Sequence, residues 1–176
     1  VDTIATRMAT AKIGAMPIVE RGKLVGIVTA TDVLAAEAAQ AKRPQVAAEI
    51  MTAYPIIVHP ETEVVQAVRQ MAAHRIRHLP VVGPNNEIVG MLSEQDIRTA
   101  VGDPDAFSDT QRHSWVHPHV KDVMTPSSLT IPHEMPIAEI ARRFAADRLE
   151  AIAVVDPFGA VLGIVSYVDL LRVLAN

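Results

Sequence analysis

The apolar positions of this chain fall into two kinds of run. In one, they recur every three or four residues, as at Val64, Val68, Met71 and Ala72, and again at Ile137, Ile140, Ala141 and Phe144. That spacing places one apolar stripe along a helix. In the other, they are nearly continuous, as in Leu79-Pro80-Val81-Val82, Ile88-Val89-Gly90-Met91-Leu92, Ile152 to Val155 and Val161 to Val165. Short, almost wholly apolar runs predict strands covered on both faces. The turn sequences Gly83-Pro84-Asn85-Asn86 and Asp156-Pro157-Phe158-Gly159 separate them in pairs. A short extended segment precedes each helix: Pro55-Ile56-Ile57-Val58 in one case, Ser128-Leu129-Thr130-Ile131 in the other. Pro136 is expected in the first helical turn, where its missing N–H costs nothing. Helices end near Lys12, Arg75 and Arg148, where a cation suits the negative end of the dipole. A second helix is expected to start near Asp32, Asp96 and Asp169.

Extended segment, helix, two strands and helix make a βαββα unit, and the unit repeats. A constant offset of 73 carries Met51-Thr52 to Met124-Thr125, Ile76 to Leu149, Val81-Val82 to Val154-Val155, Gly90 to Gly163, Ser93 to Ser166 and Asp96 to Asp169. An upstream copy matches Val1, Lys12 and Pro17 to Val64, Arg75 and Pro80 at an offset of 63. After a one-residue difference in the turn, Gly26, Thr29 and Asp32 match Gly90, Ser93 and Asp96. That copy lacks a counterpart of residues 48–63. The expected organisation is therefore a partial repeat over 1–43 without its first strand, a repeat over 48–102, a linker over 103–119 and a repeat over 120–176. An Ala-rich stretch reaching Pro44 joins the first two.

Composition narrows the function classes. Hydrophobic residues make up 49% and charged residues 20%, enough to bury a core and too apolar for a disordered chain. A net charge of −4 and 3% aromatics argue against a nucleic-acid partner. The absence of cysteine excludes disulfides and thiolate chemistry and fits a cytoplasmic setting. No apolar run approaches the roughly 18 residues needed to span a bilayer, so no membrane partner is expected, and no signal peptide is visible at the amino end. No Walker-type loop, no GxSxG elbow and no nucleophile–base–orienter set can be read from spacing, so the chain is not expected to be an enzyme in its own right.

The recurring Thr/Ser-x-x-Asp element is the strongest candidate for chemistry: Thr29/Asp32, Ser93/Asp96 and Ser166/Asp169. Each follows a strand and opens a helix. A helix amino terminus attracts phosphate, and a carboxylate three residues on can accept hydrogen bonds from both ribose hydroxyls. A capping box would make the same pattern recur without any ligand, and one residue can cap and bind together. In the linker, His113, His117 and His119 flank Trp115. Pro118 interrupts them and no acidic ligand adjoins, so a solvated segment anchored by Trp115 is expected and no metal.

Val-Met-Thr, a proline, a helix, then Arg-His-Leu-Pro-Val-Val and Ile-Val-Gly-Met-Leu-Ser-x-x-Asp together resemble the cystathionine-β-synthase-type (CBS) domain. No single motif is specific; the threefold recurrence in one order is. The resemblance implies an α/β (α+β) fold of tandem βαββα CBS repeats, packed sheet to sheet as a pseudo-twofold module called a Bateman module. It implies a regulatory role, a homodimer and an adenosyl ligand: AMP, ADP, ATP or S-adenosylmethionine. Carried over position by position, one cleft combines Ser166 and Asp169 with Ile56, Ile76, Arg77 and His78. The other combines Ser93 and Asp96 with Leu129, Leu149, Glu150 and Ala151. Arg77 and His78 suit a phosphate and Glu150 does not, so the Asp169 cleft is expected to prefer a nucleotide and the Asp96 cleft to bind more weakly. Thr29 and Asp32 form at most a partial site. The competing expectations are a constitutive dimerisation scaffold with vestigial clefts, and the regulatory part of an enzyme whose catalytic domain lies upstream.

Overall fold

The computed structural model describes residues 2–38, 45–101, 118–126 and 129–174. In chain order the elements are α1 (Asp2–Ala11), β1 (Ala15–Glu20), β2 (Lys23–Thr29), α2 (Ala30–Ala38), α3 (Ala47–Ile50), β3 (Thr52–Ala53), α4 (Val64–His74), β4 (His78–Val82), β5 (Ile88–Ser93) and α5 (Glu94–Val101). They continue as α6 (Val120–Val123), β6 (Thr125–Pro126), β7 (Thr130–Pro132), α7 (Ile137–Asp147), β8 (Ala151–Val155), β9 (Val161–Ser166) and α8 (Tyr167–Leu174). The helix–strand–strand–helix order therefore occurs three times. The Ala-rich stretch up to Pro44 and the linker through His117 lie outside the described residues, as does Ser128.

Two compact units divide the chain, and they do not follow the repeats. The first comprises Val1–Ala53, Ile131–Val154 and Gly163–Asn176. Here the helices of the upstream repeat pack on those of the last one, α1 on α8 and α2 on α7. Met8, Leu34, Ile140, Phe144, Leu170 and Leu171 are wholly buried between them. The four apolar positions of α7 read from the sequence are all buried. Strands β3, β9, β8 and β7 form a sheet in that order, and β1 with β2 forms a separate hairpin. The second unit comprises Tyr54–Thr130 and Val155–Leu162. Its sheet runs β4-β5-β6, and its core gathers Val58, Val64, Ala67, Met71, Leu79, Val81, Leu92, Ile97 and Val120.

Each full repeat completes its sheet with a strand from the other. β6 pairs antiparallel with β5, Met91 opposite Thr125, and β3 pairs with β9, Thr52 opposite Ile164. The methionine before each short strand lies on a glycine. A Cβ at Gly90 would stand 2.5 Å from the Met124 sulfur, and one at Gly163 would stand 2.5 Å from the Met51 sulfur. The Met-Thr and Gly positions that share the 73-residue offset are thus two halves of one contact, made twice. In the upstream repeat, among the described residues, the corresponding Gly26 has only Ile18 Cδ1 nearby, at 3.9 Å.

Several expectations need correction. In α4 the buried stripe is Val64, Ala67 and Met71, while Ala72 faces solvent. Residues 55–57 are not a strand; only Val58 forms a bridge, parallel to Val81. Pro136 is the N-cap of α7 rather than a first-turn residue. The short helices α3 and α6 were not legible, being too short for periodicity to show. Lys12, Arg75 and Arg148 do more than face a dipole. They adopt left-handed backbone at φ 52°, 54° and 53°, the helix-ending conformation usually given to glycine. Strands β4 and β8 are buried over four consecutive residues, as expected, but β1 and β2 are largely exposed. An apolar run predicts burial only if something is present to cover it.

The Met–Gly contact leaves no room for a methyl group. Gly163→Ala is expected to destabilise the protein by about 1–3 kcal/mol in urea unfolding. Part of that loss should be recovered in a double-mutant cycle with Met51→Ala. Gly26→Ala, where the space is open, should change stability by less than about 0.5 kcal/mol.

Candidate functional site

The three Ser/Thr-x-x-Asp elements share one geometry. Each lies where a strand ends and a helix begins: β2 into α2, β5 into α5, β9 into α8. The aspartate Oδ2 accepts two bonds from the residue three before it. The backbone N–H donates at 2.9, 2.8 and 2.9 Å and the hydroxyl at 2.6 Å each time, for Thr29, Ser93 and Ser166. In return the Asp32 and Asp96 N–H groups donate to the Thr29 and Ser93 hydroxyls at 3.3 and 3.0 Å. The capping box is therefore real. A further backbone bond ties each turn to the residue before the paired strand. Ala30 N–H donates to Gly14 carbonyl at 2.8 Å, Glu94 to Arg77 at 2.9 Å and Tyr167 to Glu150 at 3.1 Å.

Capping uses one carboxylate oxygen and leaves the other to be accounted for. Asp96 Oδ1 accepts the Thr125 hydroxyl at 3.2 Å. Asp169 Oδ1 lies 3.6 Å from the Arg172 guanidinium, whose side chain is 57% exposed while that of Asp169 is 17% exposed. Such a long pair with one solvated partner is a weak tie. Asp32 is exposed, and the Thr29 hydroxyl, followed by the Thr29 backbone N–H, holds its carboxyl below the usual aspartate value. Asp96 and Asp169 are both half-buried, and among the described residues the Asp169 Oδ1 accepts no hydroxyl as that of Asp96 does. A hydroxyl-bearing ligand needs such an acceptor, fixed and partly shielded from water.

The other residues expected at the clefts are placed as follows. In the second unit, Ile56 and Ile76 are half-buried against the core. Arg77 is exposed with its Nε 3.8 Å from Glu94, which also holds Arg98 at 2.6 Å. His78 opens β4, half-buried and in register with Ser93. Leu129 is 45% exposed. In the first unit, Leu149 packs half-buried on the core, Glu150 is exposed, and Ala151 opens β8. Thr125 was missed. Its recurrence with Thr52 was legible, but that its hydroxyl would reach Asp96 was not, because the pair is 29 residues apart.

His113, Trp115 and His117 lie outside the described residues. His119 is the N-cap of α6, and its N–H donates to Asp122 at 3.0 Å. Among the described residues no cluster of three or more His, Asp or Glu could hold a metal ion, and no helix is long and apolar enough to cross a membrane.

Known proteins share both the fold and the repeat. Protein MJ1225 from Methanocaldococcus jannaschii superposes with a TM-score of 0.81 at 23% identity, over 98% of this chain and 63% of its own. The CBS domain pair of protein MJ0100, in complex with 5-methylthioadenosine and S-adenosyl-L-methionine, gives 0.64 at 23% identity over 74% of this chain and 96% of that pair. CBSX2 in complex with AMP gives 0.62 at 24% identity over 73% of this chain and 94% of that one. By sequence, the chain is 34% identical over 103 residues to homoserine O-acetyltransferase of Methanococcoides burtonii, spanning 58% of itself and 20% of that enzyme. It is 33% identical over 98 residues to the CBS domain-containing protein YhcV of Bacillus subtilis, spanning 55% of itself and 69% of that protein. The enzyme relative thus shares only about a fifth of its length. Residues 1–39, 46–103 and 120–176 match the CBS domain, in the three stretches where the capped strand-to-helix turn occurs, so the chain belongs to the CBS domain family.

Proposed function

We propose that this chain is a regulatory module that binds an adenosyl compound, AMP, ADP, ATP or S-adenosylmethionine, and performs no catalysis itself. One observation carries the proposal. Ser166 fixes Asp169 at the start of α8 and leaves one partly shielded carboxylate oxygen that no hydroxyl meets among the described residues. Ribose hydroxyls are donors of the right kind for that oxygen. The amino end of α8 supplies a positive field suited to phosphate. Proteins of the same fold that carry 5-methylthioadenosine, S-adenosyl-L-methionine or AMP support the ligand class. Ile56, Ile76, Arg77 and His78 are assigned to this ligand by family resemblance, Arg77 as the phosphate contact. Ligand binding acts on a partner protein or a further domain by favouring one of two states, and only through its differential affinity for them.

The Asp96 turn is the weaker candidate, because its second oxygen is already satisfied by Thr125. That arrangement favours a structural role there. If all three turns were of that kind, the module would be a constitutive scaffold.

Calorimetric titration with the four ligands separates these readings. One of them should bind saturably, and Asp169→Ala should abolish the heat while Asp96→Ala retains it. Both variants lose a helix cap and should each lose about 1 kcal/mol of stability in chemical denaturation, so lost binding is not read as lost folding. Absence of binding by all four ligands would leave the scaffold reading in place. Arg77→Ala should weaken AMP, ADP or ATP by about tenfold or more, the worth of one charge-assisted contact, and leave S-adenosylmethionine unaffected.

A further inference from the structure

Sulfur chemistry in this chain belongs wholly to methionine: there are seven methionines and no cysteine. Met8, Met71 and Met135 are buried, at 0%, 6% and 8% exposure, while Met16, Met51, Met91 and Met124 are half-buried. A small oxidant dissolved in water meets the second group first, because susceptibility follows exposure.

Two of these four hold positions that tolerate no extra atom. Met51 and Met124 each end a short helix and lead into a two-residue strand. Their N–H groups donate to the Ala47 and Val120 carbonyls at 2.9 and 2.8 Å. Each side chain then turns onto a glycine of the neighbouring strand. A Cβ at Gly163 would stand 2.8 Å from the Met51 Cγ as well as on its sulfur, and one at Gly90 would stand 3.2 Å from the Met124 Cγ. The thioether therefore fills the space that a side chain would otherwise take. β3 and β6 pair with β9 and β5 over two residues each. So short a ladder holds little by itself, and the close contacts of the seated methionine supply much of the remainder. Met16 and Met91 lie instead within six-residue strands that pair in hairpins.

Hydrogen peroxide oxidises a thioether by two electrons. The sulfur lone pair attacks one peroxide oxygen, and the S–O bond forms as the O–O bond breaks. The departing hydroxide takes up the proton, so methionine becomes the sulfoxide and peroxide becomes water. The product is larger by one oxygen, and it is polar. Toward the glycine there is no room for that oxygen. Elsewhere, Met51 and Met124 pack against the apolar cores of their units, where a sulfoxide is costly to keep.

We infer that Met51 and Met124 form a redox-sensitive fastening. Peroxide unseats them, β3 and β6 detach, and β9 and β5 are left as open sheet edges. A methionine sulfoxide reductase reverses the change. In the second unit the Thr125 hydroxyl leaves Asp96 together with its strand. The inference rests on no ligand and no partner.

The test treats the 176-residue chain with dilute hydrogen peroxide and maps the oxidised peptides. Met51 and Met124 should gain oxygen before Met8, Met71 and Met135. The melting temperature should then fall by about 4 °C or more. Amide hydrogen exchange should rise along β3, β6 and the edges they cover, while α4 and α7 stay protected. Treatment with the reductase should restore both readouts. A Met51→Leu/Met124→Leu variant keeps apolar side chains of similar volume that peroxide does not attack, and its melting temperature should be unmoved by peroxide. A Met16→Leu/Met91→Leu variant should lose stability as the unsubstituted chain does. Oxidation at Met51 and Met124 with no change in melting temperature or exchange overturns the inference. So does a Met51→Leu/Met124→Leu variant that peroxide destabilises equally, and so does oxidation that reaches the buried methionines first. If that variant does not fold, the mapped oxidation and exchange of the unsubstituted chain decide alone.

Discussion

No repeat in this chain finishes its own sheet. Strand β5 ends as an edge until Thr125-Pro126 arrives, and β9 until Thr52-Ala53 arrives, each from the other repeat. The methionine that leads in each strand seats on a glycine that nothing larger could replace without a shift. Unpaired edges and uncovered apolar strands are costly in water, so this reciprocity ties the two repeats together more firmly than a linker would. Among the described residues, no methionine seats on the corresponding Gly26 of the upstream repeat, and the β1–β2 hairpin is largely exposed.

Within that frame the Ser/Thr-x-x-Asp turn serves two purposes at once. A carboxylate has two oxygens, and the cap consumes one. The same side chain can stop a strand, start a helix and still present an acceptor. Whether that acceptor is available depends on neighbours outside the motif: Thr125 at Asp96, Arg172 at Asp169, solvent at Asp32. Three copies of one motif therefore differ as sites while agreeing as caps.

Much of this was legible in the sequence, and the remainder was hidden for physical reasons. Periodicity identified α4 and α7, because an amphipathic helix of eleven residues carries three turns of pattern. It failed for α3 and α6, which have four residues each. It misassigned Ala72, since a small residue fits either side of a stripe. The repeat located every capped turn but not the use of the second oxygen, which depends on contacts distant in sequence. The apolar runs shared by the strands of all three repeats do not distinguish the exposed β1 and β2 from the buried β4 and β8, because a run records what a strand is suited to, not whether a cover is present. The grouping of α1 and α2 with α7 and α8 had no local signal; it is a packing choice among helices with similar apolar faces.

The bond between Thr125 and Asp96 has a consequence for information transfer. Thr125 belongs to β6, the strand that completes the second unit's sheet, and its hydroxyl occupies the carboxylate oxygen that a solute would seek. One carboxylate therefore holds the start of α5 with one oxygen and the edge strand with the other. A helix start and a sheet edge are fastened by a single side chain, so neither can shift without disturbing the other's hydrogen bonds.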